Sequence, residues 1–216
     1  MTGGALMAST HVSTVMAGTI QVDQRPVKRD PAQLKRLLDQ MDAKGPQFWS
    51  VPRKDGEFLH LLVKVTQAKN VLEVGTSQGV STIWMALALE ESGGRLTTIE
   101  IDKERHDLAR KYMSEAGVLN RITTILGDAH QEVTKLGGPF DFIFLDADKE
   151  GQVDYFNKLF PRKLPPGGLV VVHNAIQQAR SMKDYLGMIR KHPAFDTVIL
   201  SLTMEDGFCV SYRHRG

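Results

Sequence analysis

The run Val71-Leu72-Glu73-Val74-Gly75-Thr76-Ser77-Gln78-Gly79 constrains the fold more than any other segment of this chain. It has the pattern of a buried strand, a glycine turn and the start of a helix, and a second apolar segment follows it and ends in the acid Glu100. Glycines let the backbone approach a ligand closely, and a helix that starts there directs free N–H groups at an anionic group. An acid at the end of the second strand can bind a ribose diol. The run therefore predicts an α/β fold that binds an adenosine-bearing ligand.

The spacing of the glycines separates several such ligands. Dinucleotide-binding folds carry G-x-G-x-x-G, whereas this chain has Gly75-x-x-x-Gly79 and also lacks a G-x-x-x-x-G-K-[ST] phosphate loop. A looser turn preceded by an acid suits a ligand with an ammonium group and no pyrophosphate, such as S-adenosylmethionine. The missing third glycine argues against a nicotinamide-dependent dehydrogenase. Taken alone, the glycine pair leaves open a tight strand-to-helix turn in some other α/β protein.

Composition narrows the functional class. The chain has 216 residues, 42% hydrophobic content, 24% charged content and a formal net charge of +2. These values suit one globular domain and give no basis for a nucleic-acid or membrane partner. No apolar stretch approaches the ~20 residues of a membrane span. Residues 1–25 are rich in Gly, Ser, Thr and Ala and are predicted to form a mobile N-terminal arm, with a single domain over 26–216 and a cytoplasmic location.

The order of the predicted elements gives the fold class. A helix is expected to start at Asp30-Pro31 and to end at Gly45-Pro46, and a second helix is expected from about Asp55 to Gln67. Strands are then predicted near 70–75, 95–100, 121–126, 140–145 and 168–173, with helices that begin near 80, 103, 129 and 151 and a further helix around 180–191. A hairpin with period-two alternation closes the chain, with strands at 197–203 and 208–213 around an Asp-Gly turn. This order predicts a doubly wound, mostly parallel seven-stranded sheet with one antiparallel strand in its edge region.

Polar residues follow five consecutive predicted strands. Ligands of open α/β sheets bind outside the carboxyl ends of the strands, so these residues are expected to meet at one rim. They are Glu73, Gly75 and Ser81 after the first strand, Glu100 after the second, Gly127-Asp128-Ala129 after the third, Asp146 to Lys149 after the fourth, and His173-Asn174 after the fifth.

Several of these residues also have a simpler interpretation. Asp128 precedes a helix with Gln131 three positions on, which is a capping-box pattern, and Ser81 could also cap a helix. Lys149 could be an ordinary surface lysine. Asp146 is harder to dismiss, because a carboxylate at the border of the core needs a cation or hydrogen-bond donors. A partly desolvated Lys149 beside a metal could act as a general base.

These motifs together resemble the small cation-dependent O-methyltransferases that use S-adenosylmethionine, the group that contains caffeoyl-CoA and catechol O-methyltransferases. The resemblance covers roughly residues 30–216, and Leu145-Asp146-Ala147-Asp148-Lys149 is its most specific part. The other matching segments are Val51–Leu62, Val71–Ser81, Thr98–Asp102, Gly127–Ala129, Phe140–Lys149, Pro165–Asn174 and the Asp206-Gly207 turn.

The resemblance implies roles for individual residues. Glu73 and Gly75 would line the methionine end of the cofactor, Ser81 its carboxylate and Glu100 the ribose hydroxyls. The full set of expected cofactor-binding residues is Val51, Glu73, Gly75, Ser81, Glu100, Asp128, Ala129 and Asp146. The expected catalytic residues are Lys149, as the base, and Asp146. A divalent metal, Mg²⁺ or Mn²⁺, would be held by Asp146, His173 and Asn174. A small-molecule acceptor with a phenolic or catechol-like hydroxyl and a homodimer are also implied.

Two features depart from the family pattern. The family usually has aspartate followed by asparagine after the fifth strand, whereas this chain has His173-Asn174. An imidazole suits a later transition metal better than Mg²⁺. Two alternatives follow: a metal site with altered preference, or a methyltransferase-fold protein that binds the cofactor but has lost or altered metal-dependent catalysis. The segment after Asn174, Ala175–Gln178, is also short, which argues against a caffeoyl-CoA substrate.

Overall fold

The computed structural model describes residues 29–201 and 206–216, so the predicted N-terminal arm and part of the predicted hairpin turn lie outside the described residues. Two helices precede the sheet, α1 (Pro31–Phe48) and α2 (Arg53–Val65). Asp30 caps α1 as predicted, because its Oδ1 accepts a hydrogen bond from the Ala32 N–H at 2.9 Å. The predicted end of α1 at Gly45-Pro46 was wrong. The helix continues to Phe48 and stops where Trp49 adopts a left-handed φ of 52°.

Seven strands form one sheet in the order β3-β2-β1-β4-β5-β7-β6. Of the strands that the structure describes, only β7 is antiparallel, and it pairs with both β5 and β6. The doubly wound, mostly parallel sheet predicted from the sequence is therefore confirmed. The strands are β1 (Asn70–Val74), β2 (Arg95–Glu100), β3 (Ile122–Leu126), β4 (Phe142–Leu145), β5 (Leu169–His173), β6 (Phe195–Leu200) and β7 (Phe208–Arg213).

Helices cover both faces of the sheet. They are α3 (Val80–Ser92), α4 (Lys103–Glu115), α5 (Ala129–Lys135), α6 (Gln152–Leu159) and α7 (Lys183–Ile189), with a short 3₁₀ helix at Leu119–Arg121. Alternate residues of β4 enter different cores: Phe142 and Phe144 pack with α1 to α4, whereas Ile143 and Leu145 pack with α5 to α7. Burial on both faces explains why the inner strands are continuously apolar.

The strand order reverses between β1 and β4, which lie next to each other in the middle of the sheet. Helices leave toward opposite faces at such a point, and the crevice between them is where open α/β sheets bind ligands. Among the described residues, no helix is long and apolar enough to cross a membrane.

Candidate active site

A cleft of about 950 Å³ lies at the carboxyl ends of the parallel strands. This volume is within the range of small-molecule sites. Ten of the sequence-predicted site residues line it: Val51, Gly75, Ser81, Glu100, Asp128, Ala129, Asp146, Lys149, His173 and Asn174. Glu73 is the exception and lies behind the wall of the cleft. The predicted convergence of strand ends on one rim is thus present in the folded chain.

Gly75 is the residue that lets β1 turn into the cleft. Its φ is 97°, a conformation that strains other residues, and a Cβ there would lie 2.5 Å from the backbone oxygen of Asp146. The turn after β1 therefore passes directly against the end of β4. Any larger side chain at this position would push the two strand ends apart.

Glu100 is held firmly at the end of β2. Its Oε2 accepts a hydrogen bond from the Ser77 N–H at 2.7 Å, and its Oε1 accepts from the N–H groups of Ile101 and Asp102 at 3.1 and 3.0 Å. The Arg105 guanidinium lies 3.1 Å from Oε1. A carboxylate fixed by several donors at the cleft wall keeps lone pairs in a set direction, which suits recognition of a ribose diol.

Glu73 is fully buried and contacts hydroxyl groups. Its carboxylate accepts hydrogen bonds from the side chains of Ser81, Thr82 and Thr98. Burial raises the pKa of Glu73 to about 7, although the three hydroxyl donors act in the opposite direction. In this arrangement Glu73 orients Ser81, which does line the cleft, and does not itself form the wall that the sequence predicts for it.

Asp128 serves as the N-cap of α5. Its Oδ1 accepts from the His130 N–H at 2.9 Å, and the Gln131 side chain lies 3.3 Å from Oδ2. The simpler capping interpretation therefore holds, and it coexists with the position of Asp128 and Ala129 on the cleft. A cap fixes the start of α5 and with it the backbone that an adenine ring would meet.

Asp146 and Lys149 form an ion pair inside the cleft. The Lys149 Nζ donates to the Asp146 Oδ1 at 2.7 Å, and both side chains are mostly buried. Burial by itself raises the pKa of Asp146, but Lys149 and His173 outweigh it and hold that pKa below its ordinary value. Asp146 is therefore ionised at neutral pH, next to the turn that carries Gly75.

The ring of His173 lies between two carboxylates. Its Nε2 is 2.9 Å from Asp55 Oδ2 and its Nδ1 is 3.3 Å from Asp146 Oδ1. Burial lowers the pKa of His173, but the charges and hydrogen bonds of Asp146 and Asp55 more than reverse this and raise it to about 9. This end of the cleft favours positive charge at the ring.

The donors around His173 fit a divalent cation. Asp55, His173 and Asp206 each offer a ligand atom, and these atoms lie within 4.8 Å of one another. Carboxylates and an imidazole are ordinary ligands of Zn²⁺ and Mn²⁺. Asn174, which the sequence predicts as a ligand, directs its Nδ2 toward Gln177 and Asp206, at 3.2 and 3.3 Å.

Four cleft or cleft-adjacent residues were missed by sequence reasoning. Asp55 sits in the first turn of α2 and is an ordinary helix-start acid by its local pattern, and Asp206 belongs to a predicted turn. Trp49 is 81% exposed at the cleft mouth, with the Arg105 guanidinium 5.8 Å from its ring centroid. The available signals were for Asp55, which falls in the family-like segment Val51–Leu62, and for Asp206, which lies in the family-like Asp206-Gly207 turn.

Comparison with known proteins identifies the family. The profile described as O-methyltransferase matches residues 25–198. The chain belongs to the O-methyltransferase family. The family predicted from the sequence motifs, and with it the prediction of a methyltransferase, is confirmed.

Three similar proteins illustrate the match. The catechol O-methyltransferase of Mycobacterium tuberculosis is 33% identical over 199 residues, which are 87% of this chain and 89% of that protein. The catechol O-methyltransferase of Niastella koreensis is 41% identical over 139 residues, 62% of each chain, so this match spans less than two thirds of that relative. The solved structure of the Bacillus cereus O-methyltransferase in complex with SAH has a TM-score of 0.76 and 28% identity, and covers 87% of this chain and 92% of its own.

Proposed function

We propose that this protein transfers a methyl group from S-adenosylmethionine to the hydroxyl of a phenolic or catechol-like small molecule. The observation that carries the proposal is the shared cleft. It holds the pre-set Glu100 carboxylate at one end and the Asp146–Lys149 pair at the other. The relatives named as catechol O-methyltransferases and the SAH-bound structural neighbour support both the cofactor and the acceptor class.

The cofactor would lie along the β1 and β2 ends of the cleft. Glu100 would accept hydrogen bonds from the ribose hydroxyls, and Ser81, oriented by Glu73, would face the amino-acid end. Asp128 and Ala129 would flank the adenine. S-adenosylmethionine supplies the reactive methyl group when bound. The task of these residues is to fix that group in line with the acceptor oxygen.

The acceptor would lie at the β4 and β5 ends. The Lys149 ammonium would first release one proton to solvent, and its neutral amine would then take the proton of the acceptor hydroxyl. Asp146 would hold the Lys149 Nζ in position for this step. A divalent cation, when bound beside His173, would polarise the same hydroxyl. Asp146 contacts both Lys149 and His173, two side chains that can gain and release protons. These contacts support a proton transfer at this end of the cleft.

A second candidate rests on His173. An imidazole between two carboxylates is also the arrangement of a doubly protonated ring that needs no metal. In that case the protein would keep cofactor binding but would have lost or altered metal-dependent catalysis. The remaining proposals are a homodimer in the cytoplasm that acts on a small molecule, with no nucleic-acid or membrane partner. The formal net charge of +2 supports the last point.

The experiment is a methyl-transfer assay of the purified full-length protein. S-adenosylmethionine is supplied with catechol, other phenols and a non-phenolic alcohol, with Mg²⁺, Mn²⁺, Zn²⁺ or EDTA. Mass spectrometry measures the methylated product and S-adenosylhomocysteine. We expect methylation of catechols and phenols and none of the alcohol. Binding of the cofactor without methylation of any phenol would reject the proposed acceptor class.

A further inference from the structure

At the acceptor end of the cleft, the two ring nitrogens of His173 each face a carboxylate. A neutral imidazole carries one N–H, so it can donate to only one of the two carboxylates that it faces. The other nitrogen would then direct its lone pair at a carboxylate oxygen, either at 2.9 Å on the Asp55 side or at 3.3 Å on the Asp146 side. A cation has to lie at one of these two contacts, either a second proton or a metal ion.

The Nε2 side has the spacing of a metal site. Nε2 lies 2.9 Å from Asp55 Oδ2 and 3.9 Å from Asp206 Oδ2. Ligand atoms that are each about 2 Å from one metal ion lie roughly 3 Å apart in neighbouring positions and roughly 4 Å apart in opposite ones. Both distances fall in that range. Asp55 is fully buried, and His173 and Asp206 line the cleft, which leaves a route for the ion to enter.

The Nδ1 side fits an outer contact better than a ligand position. The Asp146 oxygen nearest to Nδ1 already accepts the Lys149 ammonium at 2.7 Å, so a divalent cation there would lie beside a positive charge. Metal-bound histidines usually donate their other ring N–H to a carboxylate, which fixes the ring. Asp146 is placed to receive that N–H from His173.

We propose that this protein binds a divalent transition-metal ion through Asp55, His173 Nε2 and Asp206, with Asp146 outside the ligand set. This set differs from the sequence-predicted one by two of three residues. Two carboxylates balance the charge of the ion, and the imidazole favours Zn²⁺ or Mn²⁺ over Mg²⁺. Use of the ion on an acceptor hydroxyl rests on the proposed function, whereas its binding does not.

The first test is isothermal titration calorimetry of the metal-free, full-length protein with ZnCl₂, MnCl₂ and MgCl₂. We expect one Zn²⁺ or Mn²⁺ per chain and at least about tenfold weaker binding of Mg²⁺. Absence of both Zn²⁺ and Mn²⁺ binding would overturn the proposal and leave a doubly protonated His173 ring as the cation of the site.

Variants then decide between the two ligand sets. Loss of a contact outside the ligand set typically weakens metal affinity by about 10–100-fold. Asp206 is a proposed ligand, so Asp206→Ala should weaken the affinity by more than about 100-fold. Asn174 contacts Asp206 but is not a proposed ligand, so Asn174→Ala should weaken it by clearly less. Asp196→Ala is the matched control, because this exposed acid on β6 pairs with His214 and does not line the cleft. The reverse order, with Asn174→Ala abolishing binding and Asp206→Ala retaining it, would assign the ion to Asp146, His173 and Asn174.

Asp55→Ala should weaken binding as Asp206→Ala does. Asp55 is buried, so circular dichroism and S-adenosylhomocysteine affinity check that the variant folds, and Asp206→Ala decides the test if it does not. Methyl transfer is measured on the same preparations. Transfer without any metal binding would remove the metal site and keep the proposed function. Metal binding without transfer to any phenol would do the opposite.

Discussion

At the β2 end of the cleft, backbone N–H groups and the Arg105 guanidinium hold the acid, whereas at the β4 and β5 ends a lysine and a histidine hold it. Three backbone N–H groups fix Glu100, and three hydroxyls surround the neighbouring Glu73. By contrast, Asp146 contacts Lys149 and His173. Backbone N–H groups, hydroxyls and a guanidinium keep their protons near pH 7, whereas a histidine can gain or lose one. The cofactor end is therefore preset, whereas the acceptor end can rearrange when a proton, a metal ion or a substrate enters.

The strongest test of this contrast is Lys149→Arg. Arginine keeps the positive charge beside Asp146 but does not give up its proton, so it cannot act as a base. Turnover should fall by about 10²–10⁴-fold while S-adenosylhomocysteine affinity stays within about threefold. Product formation and calorimetry measure the two quantities, with the exposed Lys103→Arg as control. A wild-type rate in Lys149→Arg would show that the base lies elsewhere.

Glu73, behind the cofactor end of the cleft, should make the free energy of unfolding depend on pH. The pKa of Glu73 is about 7 in the folded protein, above its ordinary value of 4.5, so the folded state binds more protons between these values. The free energy of unfolding should therefore decrease as pH rises from about 4.5 to 7, by up to about 3 kcal/mol. Urea denaturation of Glu73→Gln should lack this decrease, and the surface variant Glu115→Gln should retain it. Equal pH profiles for wild type and Glu73→Gln would contradict the assignment.

Removal of the ribose acid should weaken cofactor binding. Glu100→Ala deletes the acceptor that its backbone donors orient, at a cost of about 1.5–3 kcal/mol, or roughly 10–100-fold in cofactor affinity. Calorimetry with S-adenosylhomocysteine gives the value, and Glu104→Ala on the next helix is the control. An unchanged affinity of Glu100→Ala for S-adenosylhomocysteine would contradict the assignment of Glu100 to the ribose.

The smallest expected effect separates the two roles of Asp128. Asp128→Ala removes the α5 cap and should lower the free energy of unfolding by about 1 kcal/mol, whereas Asp128→Ser keeps a capping oxygen and should not. If Asp128 also contacts the adenine, both variants should bind S-adenosylhomocysteine more weakly. Full affinity in both would limit Asp128 to capping.

Much of the cleft could be predicted because its residues follow strands directly. Glu100 and His173 end strands, and Gly75 and Asp146 directly follow strands, whose positions are set by local pattern. Parallel strands bring their carboxyl ends to one edge of the sheet. Residues outside that pattern could not be placed. Asp55 reaches His173 across 118 positions of sequence, through the packing of α2 beside β5 and β7.

The sequence by itself determined the order of strands and helices, the glycine turn after β1 and the identity of the acids on the rim. These depend on residues within a few positions of one another. The tertiary structure alone decided that Glu73 lies behind the cleft wall and that Asp55 and Asp206 share the His173 ring. Such contacts depend on which donors the packed helices bring near each carboxylate. Local sequence patterns do not show which of these distant donors reaches a given carboxylate.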